Sequence, residues 1–447
     1  MRIAVIGAGV IGVTTAYELG ADGHEVTVFE RHGTVGAESS FAHAGLVGPG
    51  CVSPWAPPGG PRKVLSNLFR DRAPVRVDPT VAASSLGWLW RWWRASQAPA
   101  CHVNRARLVR LAHFSRERLD ALTNHLHLEF EGGRGLLVLL RSPRELALVR
   151  PAVQALSQLG VATEVIDGAA CRAIEPGLSP HTALHAGIHS PDDRVGNCRQ
   201  FTHLLRKEAG RAGVQFRFGL SVERIIPGRQ PRLLARRTPI DPRERAALRA
   251  EGAVDWKDTE PPAGEDGEQA FDAIVVCNAL GAGTLMRPLG LRLPLLAVHG
   301  CSVTAPLRHD DQHLNLEPRA AVMDERYQVV ISRLGHRVRV AGSMDIGGRA
   351  ERPWPAAQAT LDKVLDDWFP GIVNSNQAQR WRGARPTLPD GPPVLGPSGC
   401  DGIWLNVGHG SSGWALACGS ARLVADAIAG RPTPIGIDGL GVERLRR

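Results

Sequence analysis

The chain has 447 residues, of which 43% are hydrophobic and 22% charged, and a formal net charge of +9. This length exceeds what one small core can organise, so we expect two domains, each with enough apolar residues to bury a core. Only four of the 53 basic residues are lysines, and no basic stripe is interleaved with aromatic residues. The positive charge therefore does not indicate binding to nucleic acid.

The eight cysteines include no C-x-x-C pair and no spacing typical of a zinc site. We therefore predict no metal centre, and reduced thiols in a cytoplasmic protein. The apolar N-terminal run contains glycines where a secretory signal has its hydrophobic segment, and no cleavage site follows it. No window of about 18 apolar residues predicts a membrane-spanning helix.

In chain order, the predicted elements begin with a β-α-β unit: a strand at 2–6, a helix at 10–19 and a strand at 25–30. A loop rich in Gly, Pro, Ala and Ser follows at 39–61. Further helices are predicted at 88–94, 105–122, 144–159, 198–212, 355–369 and 414–429. Further strands are predicted at 135–140, 160–166, 214–218, 222–226, 271–277, 327–332, 337–341 and 403–406. This order indicates a nucleotide domain built from separated pieces around an inserted second domain.

Residues 227–269 differ in character from the rest of the chain. They are charged, rich in Pro and Arg, and poor in aromatic residues. Such a composition buries little apolar surface, so it predicts an inserted, poorly packed excursion between two strands.

The turn after the first strand carries the pattern G-x-G-x-x-G, formed by Gly7, Gly9 and Gly12. The first glycine permits a tight turn, the second lets the backbone approach a pyrophosphate, and the third lets the helix pack closely on the strand. The N-terminus of the helix then presents free amides to the phosphates. Glu30 ends the second strand 18 residues after Gly12, where its carboxylate can bind the adenosine ribose. The unit therefore predicts a dinucleotide cofactor, and the acid argues against NADP.

Both FAD and NAD bind such a unit, and three features favour FAD. The motif lies at the extreme N-terminus, and a strand with a small-residue turn at 277–283 can approach the cofactor from far downstream. In addition, Gly408-His-Gly-Ser-Ser-Gly413 precedes the last helix. The N-terminus of that helix would face the flavin pyrimidine, which becomes anionic on reduction. An NAD-dependent dehydrogenase is the less favoured alternative.

Several longer motifs accompany this pattern and are more specific than the glycines. They are Ser39-Ser-Phe-Ala-His-Ala-Gly45, Ser53-Pro-Trp-Ala-Pro-Pro-Gly59, Asp324-Glu-Arg-Tyr327, Gly383-Ala-Arg-Pro-Thr-Leu-Pro-Asp-Gly-Pro-Pro393 and Trp404-Leu-Asn-Val-Gly-His-Gly-Ser-Ser-Gly-Trp414. Through them the chain resembles the D-amino acid oxidase superfamily of flavoproteins from Met1 to about Arg444. Within that superfamily it is most similar to the bacterial D-amino acid dehydrogenases.

The resemblance implies an α/β fold, with a Rossmann-type FAD-binding domain of discontinuous segments and an inserted α+β substrate domain whose large sheet covers the flavin. The FAD-binding domain is expected at 1–50, 193–290 and 383–447, with the charged insertion at 227–270. The substrate domain is expected at 51–192 and 291–382. Covalent relatives attach flavin through a cysteine in the motif at 385–390, where this chain has none. We therefore predict non-covalent FAD.

The glycine pattern and the resemblance together predict the cofactor-binding residues. Loop residues 39–45 would line the pyrophosphate and the flavin, and Val222 would contact adenine through its backbone. The full predicted set is Ile6, Gly7, Gly9, Val10, Ile11, Gly12, Glu30, Arg31, Ser39, Ser40, Ala44, Gly45, Val222, Asn278, Ala279, Gly281, Gly383, Gly410, Ser411, Ser412 and Gly413.

The predicted catalytic residues are Arg385, Tyr327 and His409. Arg385 matches the arginine that binds the substrate carboxylate in the family, and a planar guanidinium suits such a two-bond contact. The alternative for Arg385 is a structural role, paired with an internal acid. Tyr327 matches a position where a tyrosine hydroxyl reaches the substrate. His409 lies beside the flavin by motif, and we expect it to order the loop or tune the flavin rather than act as a base.

The implied reaction is oxidative deamination of a D-amino acid to a 2-oxo acid and ammonia, by hydride transfer from the α-carbon to FAD. Oxidases of the sarcosine type use a lysine near the flavin, and the strand region at 337–348 has none. This difference favours a dehydrogenase that passes electrons to a quinone or carrier. D-hydroxyproline, sarcosine, glycine or an opine are alternative substrates on the same fold. A non-catalytic flavoprotein subunit is an alternative of a different class.

The segment Trp88-Leu-Trp-Arg-Trp-Trp-Arg94 combines aromatic and basic residues, as interfacial membrane segments do. A peripheral contact with the inner face of the cytoplasmic membrane would suit electron transfer to a quinone. The favoured interpretation is that these tryptophans fill the core between the two domains.

Overall fold

The computed structural model describes residues 1–56, 74–78, 85–241, 266–308, 316–347 and 355–446. Its strands are β1 (Arg2–Ile6), β2 (Glu25–Glu30), β3 (Leu46–Val47), β4 (Val75–Val77), β5 (Gly133–Leu140), β6 (Glu164–Asp167), β7 (Ala186–Val195), β8 (Gln215–Phe218), β9 (Leu220–Ile226), β10 (Arg232–Arg237), β11 (Gly267–Ala270), β12 (Ala273–Val276), β13 (Leu296–Pro306), β14 (Ala321–Asp324), β15 (Val329–Leu334), β16 (Arg337–Ile346), β17 (Gln379–Thr387), β18 (Val394–Pro397) and β19 (Ile403–Val407). Its helices are α1 (Val10–Ala21), α2 (Leu86–Ala95), α3 (Ala98–Leu126), α4 (Pro143–Gln158), α5 (Gly168–Ile174), α6 (Cys198–Arg211), α7 (Gly281–Met286), α8 (Pro355–Trp368) and α9 (Gly413–Ile428).

The first β-α-β unit forms the middle of a six-stranded sheet, in the order β18-β19-β12-β1-β2-β8. β1 runs parallel to both of its neighbours, and four of its five residues are buried. Ile3 and Val5 pack among side chains of α1, α6 and α9, whereas Ala4 and Ile6 pack among those of α7 and β9. A parallel sheet covered on both faces favours such an unbroken apolar strand. The predicted α/β, Rossmann-type fold class is confirmed.

A second, ten-stranded sheet follows the order β17-β13-β16-β15-β14-β5-β7-β3, with β4 on β16 and β6 on β7. Side chains alternate between the faces of a strand, and here the two faces differ in character. One face packs Cys301, Val303, Val338 and Val340 against α8. The residues between them therefore point to the opposite face. We call this opposite face the site face, and it carries Gly300, Ser302, Thr304, Ser332, Arg339, Gly383 and Arg385.

The prediction of a poorly packed excursion at 227–269 is wrong at both ends. β10 and β11 lie within it and form a three-stranded antiparallel sheet with β9. Leu233 and Ala235 alternate with exposed or half-buried residues and are fully buried, which explains how a charged segment can still form a strand. Residues 242–265 lie outside the described part of the chain, and the predicted domain boundaries remain predictions.

Within the described residues, no helix is both long and apolar enough to cross a membrane. The same residues bring together no group of three or more His, Cys, Asp or Glu side chains that could hold a metal ion.

Candidate active site

The glycine-rich turn after β1 leaves no room for side chains. Gly7 has a φ of +100°, and a Cβ atom there would lie 2.9 Å from the Cα atom of Asn278. A Cβ atom on Gly12 would lie 1.8 Å from the carbonyl oxygen of Gly7. Both glycines are therefore required, because the helix packs directly onto the turn and the turn packs onto the segment after β12.

The N-terminus of α1 has the character of an anion site. The amide of Val10 donates to the Oγ atom of Ser40 over 3.0 Å, which brings the loop at 39–45 to the start of the helix. Among the described residues, the amides of Ile11 and Gly12 have no acceptor. Gly9, the residue before the helix, would place a Cβ atom 3.5 Å from the same Ser40 oxygen. Free amides beside a glycine match the site that a pyrophosphate requires.

Glu30 lies at the end of β2, beside this turn. Its two carboxylate oxygens accept hydrogen bonds from the amides of Ala8 at 2.7 Å and His32 at 2.9 Å. Burial raises its pKa above the ordinary value, although both amides oppose that shift. Each oxygen keeps a lone pair for a ribose hydroxyl. The neighbouring Arg31 instead pairs with Glu38 near the surface.

The turn after β12 supplies a polar group without a partner. The Oδ1 atom of Asn278 is buried, and no donor reaches it among the described residues. Ala279, the next residue, has a φ of +54°, and Gly281 lies against the Asn278 amide. An unsatisfied buried oxygen next to Gly7 indicates a ligand that would satisfy it. Together with the free helix amides, this orphaned oxygen fits a bound dinucleotide. Val222, predicted to reach adenine, lies on β9 opposite Ala235.

His43 ties the loop at 39–45 to the start of α9. Its Nδ1 atom accepts from the amide of Gly45 at 3.1 Å, so its Nε2 atom carries the proton and donates to the carbonyl oxygen of Ser411 over 3.1 Å. Burial lowers the pKa of His43 to about 4. The Ser332 hydroxyl donates to the carbonyl oxygen of Ala44 over 2.6 Å. The loop is thus held between the large sheet and the C-terminal helix.

β17 brings Arg385, the predicted substrate arginine, close to the loop at 39–45 and to the start of α9. The hydroxyl of Ser39 donates to the carbonyl oxygen of Ala384, and Thr387 pairs with His409 through an isolated antiparallel bridge. Gly410, with a φ of +57°, follows this bridge and begins the short 3-10 helix that contains Ser411 and Ser412 and leads into α9 at Gly413. The motifs at 39–45, 383–387 and 409–413 therefore converge, as the sequence predicts.

Arg385 has a hydrogen-bonding fork that is nearly free. Its Nη1 atom donates to the carbonyl oxygen of Ser343 over 3.1 Å, and no acid of the described residues forms an ion pair with it. Gly300 lies beneath the guanidinium, because a Cβ atom there would lie 2.1 Å from Nη2. Burial lowers the pKa of Arg385. No acid lies within ion-pair distance of Arg385 among the described residues, although the charge of the buried Asp345 opposes the lowering of its pKa. The substrate role of Arg385 stays a prediction.

Tyr327 lies on the other side of the large sheet. It packs in the apolar cluster of α8, with the guanidinium of Arg141 5.4 Å and the ammonium of Lys363 5.9 Å from its ring centre. Asp324 fixes its turn by accepting from the Tyr327 amide at 3.0 Å. Ser343 links the two sides, because it lines a small cavity with Tyr327 and accepts from Arg385. The structure does not bring Tyr327 and Arg385 into contact, and the predicted role of Tyr327 stays a prediction.

His409 is buried and hydrogen-bonded within the protein. The Ser420 hydroxyl donates to the carbonyl oxygen of Ala417 and therefore accepts from the Nε2 atom of His409, 3.1 Å away. Burial lowers the pKa of His409 to about 3, so the ring is neutral at neutral pH. These contacts favour the predicted ordering role over a role as a base.

The tryptophan-rich helix α2 divides its aromatic residues between two faces. Trp88 donates to the carbonyl oxygen of Thr387 over 3.3 Å, and Trp92 donates to that of Trp55 over 3.0 Å. Trp90 and Trp93 are 54% and 53% exposed. Two of these tryptophans are therefore buried in a core and two are not, and the interpretation that this core lies between the two domains stays a prediction. The buried pair covers the end of β17 that carries Arg385.

Three residues near this site were not predicted from the sequence. Arg339 lies on the site face and donates to the carbonyl oxygen of His43 over 3.0 Å. The ring of Trp381 lies over Gly383 and stacks on Phe41, with centroids 6.2 Å apart. The alternation Arg337-Val-Arg-Val340 is a weak signal for a charged strand face. His43 lies inside a motif that the sequence did single out, without a role.

These features fit a dinucleotide-binding protein in which Arg385, without an ion-pair partner among the described residues, lies close to the loop that meets the glycine turn. Residues 2–427 match the family described as FAD dependent oxidoreductase, and the chain belongs to this family. It depends on FAD, as this family does. A D-amino acid dehydrogenase of Cereibacter sphaeroides is 39% identical over 99% of this chain and 95% of its own length. One from Rhizorhabdus wittichii is 36% identical over 99% of this chain and the whole of its own length.

Solved structures share the fold at low sequence identity. Glycine oxidase from Geobacillus kaustophilus superposes with a TM-score of 0.72 at 20% identity, covering 99% of this chain and 98% of its own. L-proline dehydrogenase from P. horikoshii has a TM-score of 0.70 at 16% identity, covering 100% of this chain and 98% of its own. An L-alpha-glycerophosphate oxidase from Mycoplasma pneumoniae, solved with FAD bound, has a TM-score of 0.65 at 15% identity and covers 96% and 94% of the two chains. These likenesses show the fold alone.

Proposed function

We propose that this FAD-dependent oxidoreductase is a dehydrogenase that oxidises D-amino acids to 2-oxo acids and ammonia. The names of relatives at 35–39% identity over nearly the full length support this substrate class. The observation that carries the proposal is Arg385, a half-buried guanidinium whose one hydrogen bond among the described residues is to a carbonyl oxygen. A planar fork of this kind is suited to the carboxylate of an amino acid.

The residues around the glycine turn would hold the FAD without a covalent bond. The free amides at the start of α1 would bind the pyrophosphate, Glu30 the ribose, and Asn278 would use its orphaned oxygen. When bound, FAD would supply the acceptor for the hydride that leaves the α-carbon of the substrate. Acid precipitation of the protein tests this binding mode. Yellow cofactor released into the supernatant is expected, and yellow retained in the pellet would show a covalent link.

Arg385 would orient the substrate rather than take part in bond breaking. Two parallel hydrogen bonds to the carboxylate would fix the α-carbon, and Ser343 holds the guanidinium from behind. His43 and His409 are neutral and bonded within the protein, so neither is available as a base. The amine must therefore lose its proton before it binds or to solvent. Tyr327 stays a proposed substrate contact, which would require its ring to leave the α8 side of the sheet.

Anaerobic bleaching of the flavin tests the substrate class. D-alanine and a panel of other D-amino acids should remove the yellow absorption in the absence of oxygen, whereas the matching L-amino acids should not. The same panel should include glycine, sarcosine, D-hydroxyproline and an opine, which are the alternative substrates. If only one of these alternative compounds bleaches the flavin, that compound is the substrate. If no D-amino acid bleaches the flavin, the proposal is refuted.

We further propose that electrons leave to a quinone or carrier, and that α2 gives a cytoplasmic protein a peripheral membrane contact. Leu86, Trp90 and Trp93 form an exposed apolar face at helical spacing, with the Arg94 guanidinium over the Trp90 ring. Co-flotation with vesicles of phosphatidylethanolamine and phosphatidylglycerol should be lost in W90S/W93S. It should persist in L148S, which removes an exposed apolar residue elsewhere. Equal flotation of both variants would rule out α2 as the contact.

A further inference from the structure

Arg339 is a buried cation without an anionic partner among the described residues. Its side chain is 5% exposed. Its Nε atom donates to the hydroxyl of Thr304 over 2.9 Å, and its Nη1 atom donates to the carbonyl oxygen of His43 over 3.0 Å. Both acceptors are neutral. Burial and the neighbouring Arg337 lower the pKa of Arg339 to about 10, which still leaves it charged at neutral pH.

Glu131, the acid whose charge acts on Arg339, is already occupied. Glu131 binds Arg337 through both of its oxygens, at 3.1 and 3.0 Å, and also accepts from the side-chain Nδ2 atom of Asn197. Arg337 is the exposed end of the strand, whereas Arg339 lies two residues further into the site face. A buried charge left unpaired costs several kcal/mol. Such a residue therefore indicates that an anion is present in the working protein.

The substrate does not supply this anion. Its single carboxylate is assigned to Arg385, which also lacks an acidic partner within the described residues. Arg339 is positioned instead by the backbone of His43, in the loop that leads from the α1 N-terminus to the start of α9. The two histidines of the site are neutral. Arg339 is therefore a buried positive charge that remains once a substrate carboxylate has neutralised Arg385.

We propose that Arg339 is a positioning and charge-compensating residue that stabilises the anion formed when the flavin is reduced. This inference rests on the proposed amino-acid oxidation, which supplies the electrons. Its test does not depend on that oxidation. A neutral amine substrate gives up a hydride, which is two electrons and one proton, and becomes an iminium cation. The neutral oxidised flavin gains that hydride and becomes an anion. A preorganised cation in a water-poor site stabilises this developing charge without rearrangement.

Two neutral variants, R339Q and R339M, test the charge with readouts that need no amino acid. Sulfite adds to oxidised flavin and leaves a negative charge on the ring, so its dissociation constant measures the same stabilisation. We expect this constant to rise at least tenfold in both variants, with FAD still bound. We also expect the two-electron midpoint potential to fall by about 30 mV for each tenfold change in the equilibrium.

Three control variants separate charge from structure. R337Q removes the neighbouring cation of the same strand, which is exposed and paired with Glu131, and should leave the sulfite affinity unchanged. R339K keeps the charge and should stay within threefold of the parent protein. T304V removes the Nε acceptor but leaves the guanidinium, and should also stay within threefold.

Several outcomes would overturn the proposal. An unchanged sulfite affinity and potential in R339Q and R339M would show that the charge does not reach the flavin. A loss as large in R339K or T304V would assign the effect to the geometry of the loop at 39–45. Weaker FAD binding, with a normal potential at saturating FAD, would make Arg339 a partner of the cofactor phosphates. If D-amino acids fail to bleach the flavin but the sulfite result holds, only the proposed substrate is wrong.

Discussion

Two arginine-rich regions of this molecule differ in the partners of their arginine side chains. Between α1, α3 and α9, the fully buried Glu18 accepts from Arg118 at 2.6 and 2.7 Å and from Arg422 at 2.7 Å. On the site face, Arg385 and Arg339 donate only to neutral oxygens among the described residues. In the first region the arginines form ion pairs with acids, whereas in the second region the two arginines form no ion pair among the described residues.

The pKa values follow this difference. Burial alone would raise the pKa of Asp22 in the first region, but hydrogen bonds from Arg422 and Arg431 outweigh it and lower that pKa. The pKa of Arg422 is raised, because its acidic partners outweigh its burial. On the site face burial lowers the pKa of Arg385 and Arg339. A complete network holds helices together, whereas uncompensated cations are retained where ligands bring the anion.

The largest expected effect comes from removing the free guanidinium of Arg385. R385M should lower kcat/KM for D-amino acids by about 10²- to 10⁴-fold, because it removes two charge-assisted hydrogen bonds of roughly 1.5–3 kcal/mol each. Its melting temperature should stay the same or rise, since no acid loses its partner. R385K should recover part of the activity. Full activity in R385M, or a clear loss of stability, would place Arg385 with the structural arginines.

In the paired region the expected effect is on stability instead. E18Q removes the shared anion of Arg118 and Arg422, so it should lower the free energy of unfolding by about 3 kcal/mol. Urea unfolding of the holoprotein measures this change. The rate of flavin reduction per folded molecule should not change. E25Q is the matched control, because its ion pair with Arg2 is exposed and about 1 kcal/mol or less is at stake. Similar losses of unfolding free energy in E18Q and E25Q would show that the buried pairing of Glu18 adds no more stability than an exposed ion pair.

The glycine turn and the site face differ in how well the sequence predicts them. The glycine turn, its strand and its acid follow local rules of spacing and turn geometry, and they lie where the pattern puts them. The convergence of 39–45, 383–387 and 409–413 came from the resemblance rather than from periodicity. The helices at 198–212 and 355–369 were predicted to within one residue at each end, because their apolar periodicity is strong.

The site face was harder to predict, for physical reasons. β13 and β17 were missed: β17 carries Gly383 and Pro386 at the edge of its sheet, and β13 is buried along most of its length and does not alternate. Arg339 looks like any exposed strand arginine until its neighbours cover it. The side of the sheet on which Tyr327 lies depends on the Asp324 turn and on α8, far away in sequence. Pairings of this kind are set by tertiary contacts.

A smaller effect is expected from Gly300, which makes room for the free guanidinium. In G300A the new methyl group would lie 2.1 Å from Nη2 of Arg385, so the fork must move. A displacement worth about 1–3 kcal/mol should raise KM roughly 10- to 100-fold while the flavin spectrum stays normal. G283A is the control, since a Cβ atom there meets nothing within 4 Å. An unchanged KM in G300A would show that Arg385 does not hold the substrate from this position.

The smallest expected effect is a difference in the pH range over which the two regions lose stability. The folded-state pKa of His409 is about 3, below its ordinary value of 6.5. The unfolded chain therefore binds the extra proton first, and stability is complete above pH 6.5 and declines as the pH falls towards 3. One unit below 6.5 the loss is about 1 kcal/mol. Asp22 has a lowered pKa, so its contribution persists until the pH falls below its ordinary value of 3.8.

Acidification should therefore weaken the site before it weakens the arginine network. H409Q, which keeps a donor for the Ser420 hydroxyl, should remove the share of the stability loss between pH 6.5 and 5 that comes from His409 and leave the share of the buried His43. The difference between the unfolding free energies of H409Q and the parent protein across this range measures the His409 share. D22N should leave that range unchanged and alter the curve only below about pH 4, because Asp22 is charged throughout the higher range. If H409Q follows the parent curve between pH 6.5 and 5, the imidazole is not held neutral by burial, and a charged His409 would then join Arg339 as a cation of the site.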